Sequence, residues 1–293
     1  MTQPTDPSRT ASRAYEPTAR TRRVGSVSYL NATPLISGLD REPGVDVRVD
    51  VPSALLDDLL QGEVDVALCP VIDYFRADQS LKLVPAGGIG CDGPTLTVRL
   101  YSKVPIEQIT TLHADTDSHT SVALVQVLLR ELFDVAPRMI DYCARESVAE
   151  GRIAHAPESV LLIGDKVVTG SPLAVVYPHQ LDLGEAWHRL TGLPFVFAIW
   201  MARASTELGT LPAVLADRLD KNLPQVVLLA EQSAKRHGWP TDLAEHYLRD
   251  VLRYRIGPRE LEAITRFGEL AHKHGLIDSA KPLEIAQPTG NDA

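Results

Sequence analysis

Ser28 and Asn31 are the first side chains in the chain that could bind and orient a small ligand. They lie in the sequence VSYLN, directly after a predicted strand. Hydroxyl and amide groups both donate and accept hydrogen bonds, and loops that follow strands often carry binding residues. Asn and Ser are also good helix N-caps. The pattern therefore allows either ligand binding or helix capping.

A second polar cluster opens an apolar helix at Asp117-Ser118-His119-Thr120-Ser121. The first N–H groups of a helix lack intrahelical acceptors, and the helix dipole favours negative charge there. This end could bind a carboxylate or phosphate, with the hydroxyls of residues 118, 120 and 121 as further donors. We assign Asp117 to capping, because a carboxylate fits poorly beside an anion. The alternative is a capping box without a ligand.

His119 lies at this helix end, where the dipole disfavours its cation. It is a neutral donor or base in a cleft, or it is simply exposed to solvent.

The backbone around Pro70 and Ile72 could line a flat ligand, whereas Cys69 reads as a buried and inert thiol. Asp165 follows another predicted strand and could be a base or a helix cap. Trp187 and the segment 191–195 suit either a cleft wall or a core.

Motifs for nucleotide, metal or covalent serine chemistry are absent from the sequence: it contains no GxGxxG, P-loop, HExxH or GxSxG pattern. The histidines and the three cysteines show no metal-ligand spacing. We therefore predict a site without metal or cofactor. Cysteines this few and widely spaced fit a reducing compartment.

The net charge of −9 argues against a nucleic-acid partner. Residues 1–21 contain no apolar run of the kind that a signal peptide needs, and no segment reaches the ~20 apolar residues of a membrane span. We predict a cytoplasmic chain that does not contact a membrane. The segments 1–21 and 286–293 are predicted to be a disordered and a frayed tail.

The elements that must position these residues follow a β-α-β-α-β order at the start of the chain, which predicts a parallel sheet in an α/β protein. Strands are predicted at 23–29, 45–51, 64–71, 82–90, 95–102, 158–163, 173–177 and 194–202. A helix is predicted at 118–134, and the chain after residue 205 reads as helices only.

Two of these strands, 95–102 and 194–202, enclose about 90 residues. If both cross between lobes, the chain leaves a first lobe, builds a second and returns. We assign residues 22–98 and 200–285 to a discontinuous lobe 1 and residues 99–199 to an inserted lobe 2. The ligand would lie between the lobes, near strand ends and helix N-termini.

Several segments together resemble one enzyme family. They are VGSVSYLNATPLISGL, GEVDVALCPVIDY, LYSKVP, ADTDSHTSVALVQVLL, LIGDKVV and DLGEAWHRLTGLPFVFAIWMA. In order and spacing they resemble the chorismate dehydratases of the futalosine route to menaquinone, from about residue 23 to about residue 280. The resemblance implies a two-lobed periplasmic-binding-protein type II fold and a cytoplasmic, cofactor-free hydro-lyase. Such an enzyme converts chorismate to 3-[(1-carboxyvinyl)oxy]benzoate and water.

The resemblance also suggests roles. Ser118, His119, Thr120 and Ser121 would hold one substrate carboxylate. Ser28 and Asn31 would face the reacting ring, with Asn31 bonded to the leaving hydroxyl or to a carboxylate. Ser102 would add a donor, and Asp165 is a lesser candidate for the base, which could also be a carboxylate of the substrate. Arg99 departs from the family pattern and would pair with a carboxylate or lie along the surface.

Other functions stay open at this point. A solute-binding or sensor protein of the same fold would bind a small anion without chemistry, and a sister enzyme of the pathway would form a naphthoate from a larger substrate. A structural role fits the polar strand ends poorly. The sequence allows a homodimer without determining the oligomeric state.

Overall fold

The computed structural model describes residues 20–50, 52–142, 157–170, 172 and 174–287. The predicted tails therefore fall largely outside the described residues, as does Cys143. Arg20 falls within the predicted N-terminal tail, yet its guanidinium bonds the buried Asp65 carboxylate at 3.2 Å. The ordered chain thus begins before residue 22.

The first sheet combines the parallel start of the chain with strands that return later. Its six described strands are ordered β11-β4-β10-β3-β1-β2. β1 pairs in parallel with β2 and β3, whereas β10 runs antiparallel to β3 and β4. The strands are β1 (Arg22–Ser26), β2 (Val45–Val49), β3 (Val66–Pro70), β4 (Leu81–Cys91), β10 (Phe195–Arg203) and β11 (Leu252–Arg253). The predicted β-α-β-α-β unit with a parallel sheet is confirmed.

The second sheet is built entirely from the intervening chain. Its five described strands are ordered β7-β6-β8-β5-β9. β6 pairs in parallel with β7 and β8, and β5 runs antiparallel to β8 and β9. The strands are β5 (Val98–Ser102), β6 (Thr111–Asp115), β7 (Arg138–Tyr142), β8 (Ser159–Ile163) and β9 (His179–Asp182).

Helices cover both sheets, and most of the buried apolar residues form one large core, beside a smaller cluster around Tyr101 and Tyr177 in the second sheet. They are α1 (Thr33–Ile36), α2 (Pro52–Gln61), α3 (Val71–Arg76), α4 (His119–Phe133), α5 (Lys166–Thr169), α6 (Leu183–Thr191), α7 (Leu211–Asn222), α8 (Val226–His237), α9 (Thr241–His246) and α10 (Pro258–Lys273). The predicted helix at 118–134 is confirmed as α4. Trp187 of α6 is fully buried and meets Phe195 and Phe267 edge to face, so this segment belongs to the core and is not a cleft wall.

Three sequence predictions need correction. The predicted strand 173–177 is wrong, because residues 174–176 form an exposed turn and the strand begins at His179. The chain after residue 205 is not purely helical: after α9 a π-helical turn, Tyr247–Val251, leads into the short strand β11. Strands β6 and β7 lie where the sequence predicted none.

The chain passes between the sheets along residues 92–97 and again along α6. The strands predicted to cross, 95–102 and 194–202, instead lie within one sheet each, since pairing in the second sheet begins at Val98 and β10 belongs wholly to the first. A lobe boundary at residues 199–200 would therefore cut strand β10. The division into two lobes at the predicted residues stays a prediction.

The carboxylate of Asp182 joins the two crossing segments. It accepts the backbone N–H groups of Thr95 and Leu96 at 2.9 Å each. It also caps α6 by accepting the N–H groups of Gly184 and Glu185 at 3.0 and 3.1 Å. Arg99 reaches the same carboxylate at 3.4 Å, so its pairing with a carboxylate is confirmed. Leu96 holds a positive φ of 65° at this junction, a costly backbone conformation that these bonds stabilise.

Replacing Asp182 with Asn should destabilise the fold, because the amide group presents N–H where several backbone N–H donors converge. Leaving buried donors unsatisfied costs about 1–3 kcal/mol, and we expect a loss of that order in the free energy of unfolding, measured by urea denaturation. Asp141→Asn on the exposed face of β7 is the matched control. Equal unfolding free energies for both variants would contradict the role of Asp182.

Candidate functional site

A cleft that opens to solvent and encloses a volume of about 80 Å³ lies where strand ends of the two sheets meet. Val27 and Pro70 mark the ends of β1 and β3, and Ile163 and Gly164 mark the end of β8. Carboxyl ends of parallel strands are the usual ligand edge of α/β sheets. The cleft therefore lies at the inter-sheet position that the sequence predicted for a ligand.

Much of the cleft surface is apolar. Since aliphatic and aromatic side chains form the wall, the cleft suits a compact ring that carries polar groups at its edge. The apolar lining residues are Val27, Leu68, Pro70, Ile89, Val98, Ile163, Phe197, Ala198 and Leu252.

Asn31 is held in the cleft by its neighbours. It lies in the 3₁₀ turn Leu30–Ala32, whose two end residues are completely buried and anchor the turn in the core. Its Oδ1 atom is buried and accepts no hydrogen bond from the part of the chain that the structure describes. A buried acceptor without a donor is costly, so this oxygen is well placed to receive a donor from a ligand.

The first turn of α4 faces the same cleft. Ser118 is the N-cap and accepts the N–H of Ser121, and both side chains line the cleft. The prediction that Asp117 caps the helix is therefore wrong. The N–H groups of the first helical residues have no intrahelical acceptor, which leaves positive potential at this end for an anion.

Thr120 and His119 point away from the cleft and fix this helix end. The Thr120 hydroxyl accepts the N–H of Ile72 at 3.2 Å. The Nδ1 atom of His119 lies 3.0 Å from the buried Asp73 carboxylate. α4 is thus tied to α3 by residues that the sequence predicted as ligand contacts. Neither Ile72 nor His119 or Thr120 lines the cleft.

Four hydroxyl residues that could not be selected from the sequence also line the cleft: Tyr29, Thr95, Thr97 and Tyr247. The Tyr247 hydroxyl bonds the Thr97 hydroxyl at 2.7 Å. Burial raises the pKa of Tyr247 far above its usual value, while hydrogen bonds from Thr97 and Asn31 act in the opposite direction. Tyr247 therefore stays a neutral phenol that can donate a hydrogen bond in the cleft.

One lysine partly offsets the negative charge on the acidic side of the cleft. Asp117 lines the cleft, and its carboxylate is 2.7 Å from the Lys166 ammonium and 3.3 Å from the Tyr29 hydroxyl. Lys166 also pairs with Asp115. Burial raises the pKa of Asp115, and the charge of Lys166 counteracts this shift. The lysine thus limits the repulsion that Asp117 would exert on an anion at the start of α4.

The remaining predicted residues lie elsewhere. Ser28 is exposed to solvent outside the cleft lining. Ser102 is completely buried at the far end of β5 and bonds the Val104 carbonyl and the Ser159 hydroxyl. Asp165 lies beside the lining residue Gly164, but its carboxylate accepts from His237 and Trp239. None of these three presents a free donor or base to a ligand in the cleft.

Burial raises the pKa of Cys69 far above its usual value and that of Cys91 to about 12, so both thiols are protonated and inert.

No cluster of three or more His, Cys, Asp or Glu side chains suited to a metal occurs among the described residues. In the same part of the chain, no helix is long and apolar enough to cross a membrane.

The architecture and the cleft between the sheets define the class: a two-lobed α/β protein of the periplasmic-binding-protein type. The periplasmic aliphatic sulphonate binding protein of Escherichia coli is similar, with a TM-score of 0.59 at 16% identity over 89% of this chain and 94% of that chain. An Archaeoglobus fulgidus protein of known crystal structure gives 0.67 at 13% identity, over 87% and 98% of the two chains. These likenesses show the fold.

The sequence places the chain more narrowly. The model of a menaquinone biosynthesis family matches residues 22–273, and the chain belongs to that family. A chorismate dehydratase of Thermus thermophilus is 31% identical over 261 residues, which cover 84% of this chain and 93% of the relative. A chorismate dehydratase of Campylobacter jejuni is 26% identical over 252 residues, or 83% and 94% of the two chains.

The pair of His119 and Asp73 should make stability depend on pH. The hydrogen bond to Asp73 raises the pKa of His119 above 6.5, against the effects of burial and Arg76. Such a pair stabilises the fold fully below the unfolded pKa and loses its effect as the pH rises through the folded pKa. We expect His119→Gln to lower the melting temperature more at about pH 5.5 than at about pH 9.

The control for this prediction is His179→Gln, on strand β9 away from Asp73. Its melting temperature relative to the wild type should change little between the two pH values. A His119→Gln effect that is the same at both pH values would contradict the ion pair.

Proposed function

We propose that this protein is a chorismate dehydratase, a hydro-lyase that converts chorismate to 3-[(1-carboxyvinyl)oxy]benzoate and water. The family match and the two relatives named as chorismate dehydratases support the reaction. The structural observation that supports this reaction is the cleft. Its apolar wall adjoins the start of α4 and the unpaired oxygen of Asn31.

The chemistry of the substrate matches such a site. Chorismate carries a cyclohexadiene ring, a 4-hydroxyl group and two carboxylates. Loss of the C3 proton and the 4-hydroxyl makes the ring aromatic, so the driving force lies in the substrate. The protein must hold the dianion, assist removal of the proton and assist departure of the hydroxyl. Positioning and preorganised hydrogen bonds supply large rate effects of this kind, and we propose that no cofactor is required.

One carboxylate would bind at the start of α4. The free N–H groups of the first turn and the hydroxyls of Ser118 and Ser121 supply donors there. The bonds from Thr120 to Ile72 and from His119 to Asp73 hold this helix end in place. The roles of these two residues in the proposal are thus positional, while Ser118 and Ser121 contact the substrate.

The ring would lie against the apolar wall with its reacting edge toward Asn31. The Asn31 amide can bond the leaving hydroxyl or a carboxylate, as the sequence led us to expect. Tyr247 lies within the same hydrogen-bonded group as Asn31 and Thr97. As a neutral phenol, it can donate to the departing hydroxyl without placing a second negative charge beside the dianion.

The proton acceptor is best sought in the substrate. Asp117 is the one carboxylate among the described lining residues, and Lys166 and Tyr29 already engage it. Asp165 is held by two donors away from the lining. A carboxylate of chorismate itself, held close to its own C3 proton, is the base that this cleft best accommodates.

The alternative on this fold is a small-anion receptor or sensor, since the similar Escherichia coli protein is a sulphonate-binding protein. The relative at 31% identity favours the enzyme. We propose further that the protein acts in the cytoplasm on a small-molecule substrate. The proposal is compatible with a monomer or a homodimer, and the competing chemistry is the naphthoate-forming reaction of the sister enzyme.

Asn31→Ala should abolish most turnover. We expect the wild-type chain to consume chorismate, with loss of the diene absorbance and formation of the enolpyruvyl benzoate followed by chromatography. Removing a preorganised hydrogen bond to the reacting group costs about 10²–10³ in kcat. The matched control is Ser28→Ala. The Ser28 hydroxyl is exposed and lies three residues away, so this variant should retain near wild-type kcat.

Unchanged turnover in Asn31→Ala would remove this residue from the mechanism. Absence of product from the wild-type chain, together with thermal stabilisation by chorismate, would favour the receptor. Conversion of a larger pathway substrate alone would favour the sister enzyme.

Ser121→Ala should weaken substrate binding more than it slows the reaction. The hydroxyl lines the cleft at the proposed carboxylate site, whereas the cap of α4 is provided by Ser118. Loss of one hydrogen bond to a charged group costs about 1.5–3 kcal/mol, so we expect KM to rise roughly tenfold or more with a smaller change in kcat. A fall in kcat at constant KM would instead place the hydroxyl at the reacting centre.

A further inference from the structure

Asp165 lies at one end of a series of side-chain contacts that reaches the cleft. The proposed mechanism assigns it no role. It follows Gly164 at the end of β8, in the second sheet, and its side chain does not cap α5. Oδ1 accepts the indole N–H of Trp239 at 2.9 Å, and Oδ2 lies 3.1 Å from Nδ1 of His237. His237 is the last residue of α8 and Trp239 lies just after it, and both are more than 70 residues away along the chain.

Trp239 in turn fixes the orientation of Tyr247. The indole is buried, and its ring stacks on the Tyr247 ring with centroids 4.9 Å apart and planes at 21°. The hydroxyl of Tyr247 bonds Thr97 in the first crossing segment. The contacts therefore run from Asp165 through Trp239 and Tyr247 to Thr97.

The surrounding backbone shows why these contacts hold. Gly238 ends α8 in the left-handed conformation with φ of 73°, and a Cβ there would lie 3.3 Å from Thr169 of α5. The end of α8 is thus packed closely against the short helix that follows Asp165. The carboxylate is the polar contact at this junction between the second sheet and the C-terminal helices.

We propose that Asp165 is a positioning residue, which holds Trp239 so that the Tyr247 hydroxyl is presented to the ligand in the cleft. This inference rests on the proposed function for its kinetic consequence. Asp165 accepts hydrogen bonds and transfers no proton, so an acceptor of the same shape is sufficient. An opening of the cleft that separates the second sheet from the C-terminal helices must break its two bonds.

The kinetic test compares two substitutions at this position. Asp165→Asn retains an acceptor oxygen for Trp239, whereas Asp165→Ala removes it. A misplaced catalytic group can cost about 10²-fold in rate, and we expect a fall in kcat of roughly tenfold to a hundredfold for Asp165→Ala but only a few-fold for Asp165→Asn. Asp242→Ala, an exposed aspartate three residues beyond Trp239, is the matched control and should retain wild-type kcat.

A double-mutant cycle with Tyr247→Phe identifies the group through which Asp165 acts. If Asp165 works by placing the Tyr247 hydroxyl, adding Asp165→Ala to Tyr247→Phe should lower kcat little further. Equal losses in Asp165→Asn and Asp165→Ala, additive with Tyr247→Phe, would overturn the proposal in favour of a base. Unchanged kcat in Asp165→Ala would overturn it as well.

An observation that needs no turnover separates this inference from the proposed function. The indole N–H signal of Trp239, assigned by its loss in Trp239→Phe, should exchange slowly with solvent in the wild-type chain and faster in Asp165→Ala. Slow exchange in both would overturn the contact even if chorismate is consumed. If the wild-type chain consumes no chorismate, the proposed function fails, and indole exchange alone decides the contact. If Asp165→Ala does not fold, Asp165→Asn and Trp239→Phe provide the comparison.

Discussion

The carboxylate of Asp182 is the contact on which the rest of the cleft depends. The two chain segments that pass between the sheets meet at one buried group, which binds four backbone N–H donors and Arg99. The first of these segments carries Thr95 and Thr97 into the cleft, and the second begins α6. Because one carboxylate positions both segments, the spacing between the sheets and the positions of the polar groups at the cleft floor are set together.

The proposed anion site would bind negative charge with few positive charges. In this chain of net charge −9, the proposed site consists of the start of α4 and neutral hydroxyl and amide donors. The ammonium group of Lys166 is occupied by Asp115 and by the cleft residue Asp117. Fixed dipoles of this kind need no reorganisation as charge moves during a reaction. An ammonium placed directly on the substrate would instead favour the bound dianion as well as its transition state.

Features that arise locally could be predicted from the sequence, whereas features that depend on distant pairing could not. The α4 helix, its polar first turn and the position of Asn31 after β1 follow from periodicity and capping preferences within a dozen residues. Thr120 and His119 were recognised as polar groups at a helix end, but their partners, Ile72 and Asp73, lie on another element. The sequence therefore indicates the cluster, whereas the partners of these two members cannot be predicted from it.

Ser102, Asp165 and Tyr247 show the same limit more clearly. Ser102 alternates correctly on its strand, but its pairing with Ser159 directs it into the second sheet. Asp165 has a partner 74 residues away. Tyr247 lies in a segment that the sequence predicts as an ordinary helix. The structure has a π-helical turn there, followed by strand β11, and Tyr247 lines the cleft. Strand β9 was missed because the more apolar neighbouring segment had the stronger strand pattern.

The unpaired oxygen of Asn31 links function to the thermodynamics of the free protein. A buried acceptor without a donor makes the ligand-free protein less stable than it would be with an apolar residue of similar size at this position. Natural proteins commonly carry such a trade-off between stability and activity at their functional sites. Any ligand that satisfies this oxygen adds its binding free energy to that of folding. The melting temperature of this protein should therefore depend on whether the cleft holds a ligand as well as on the sequence.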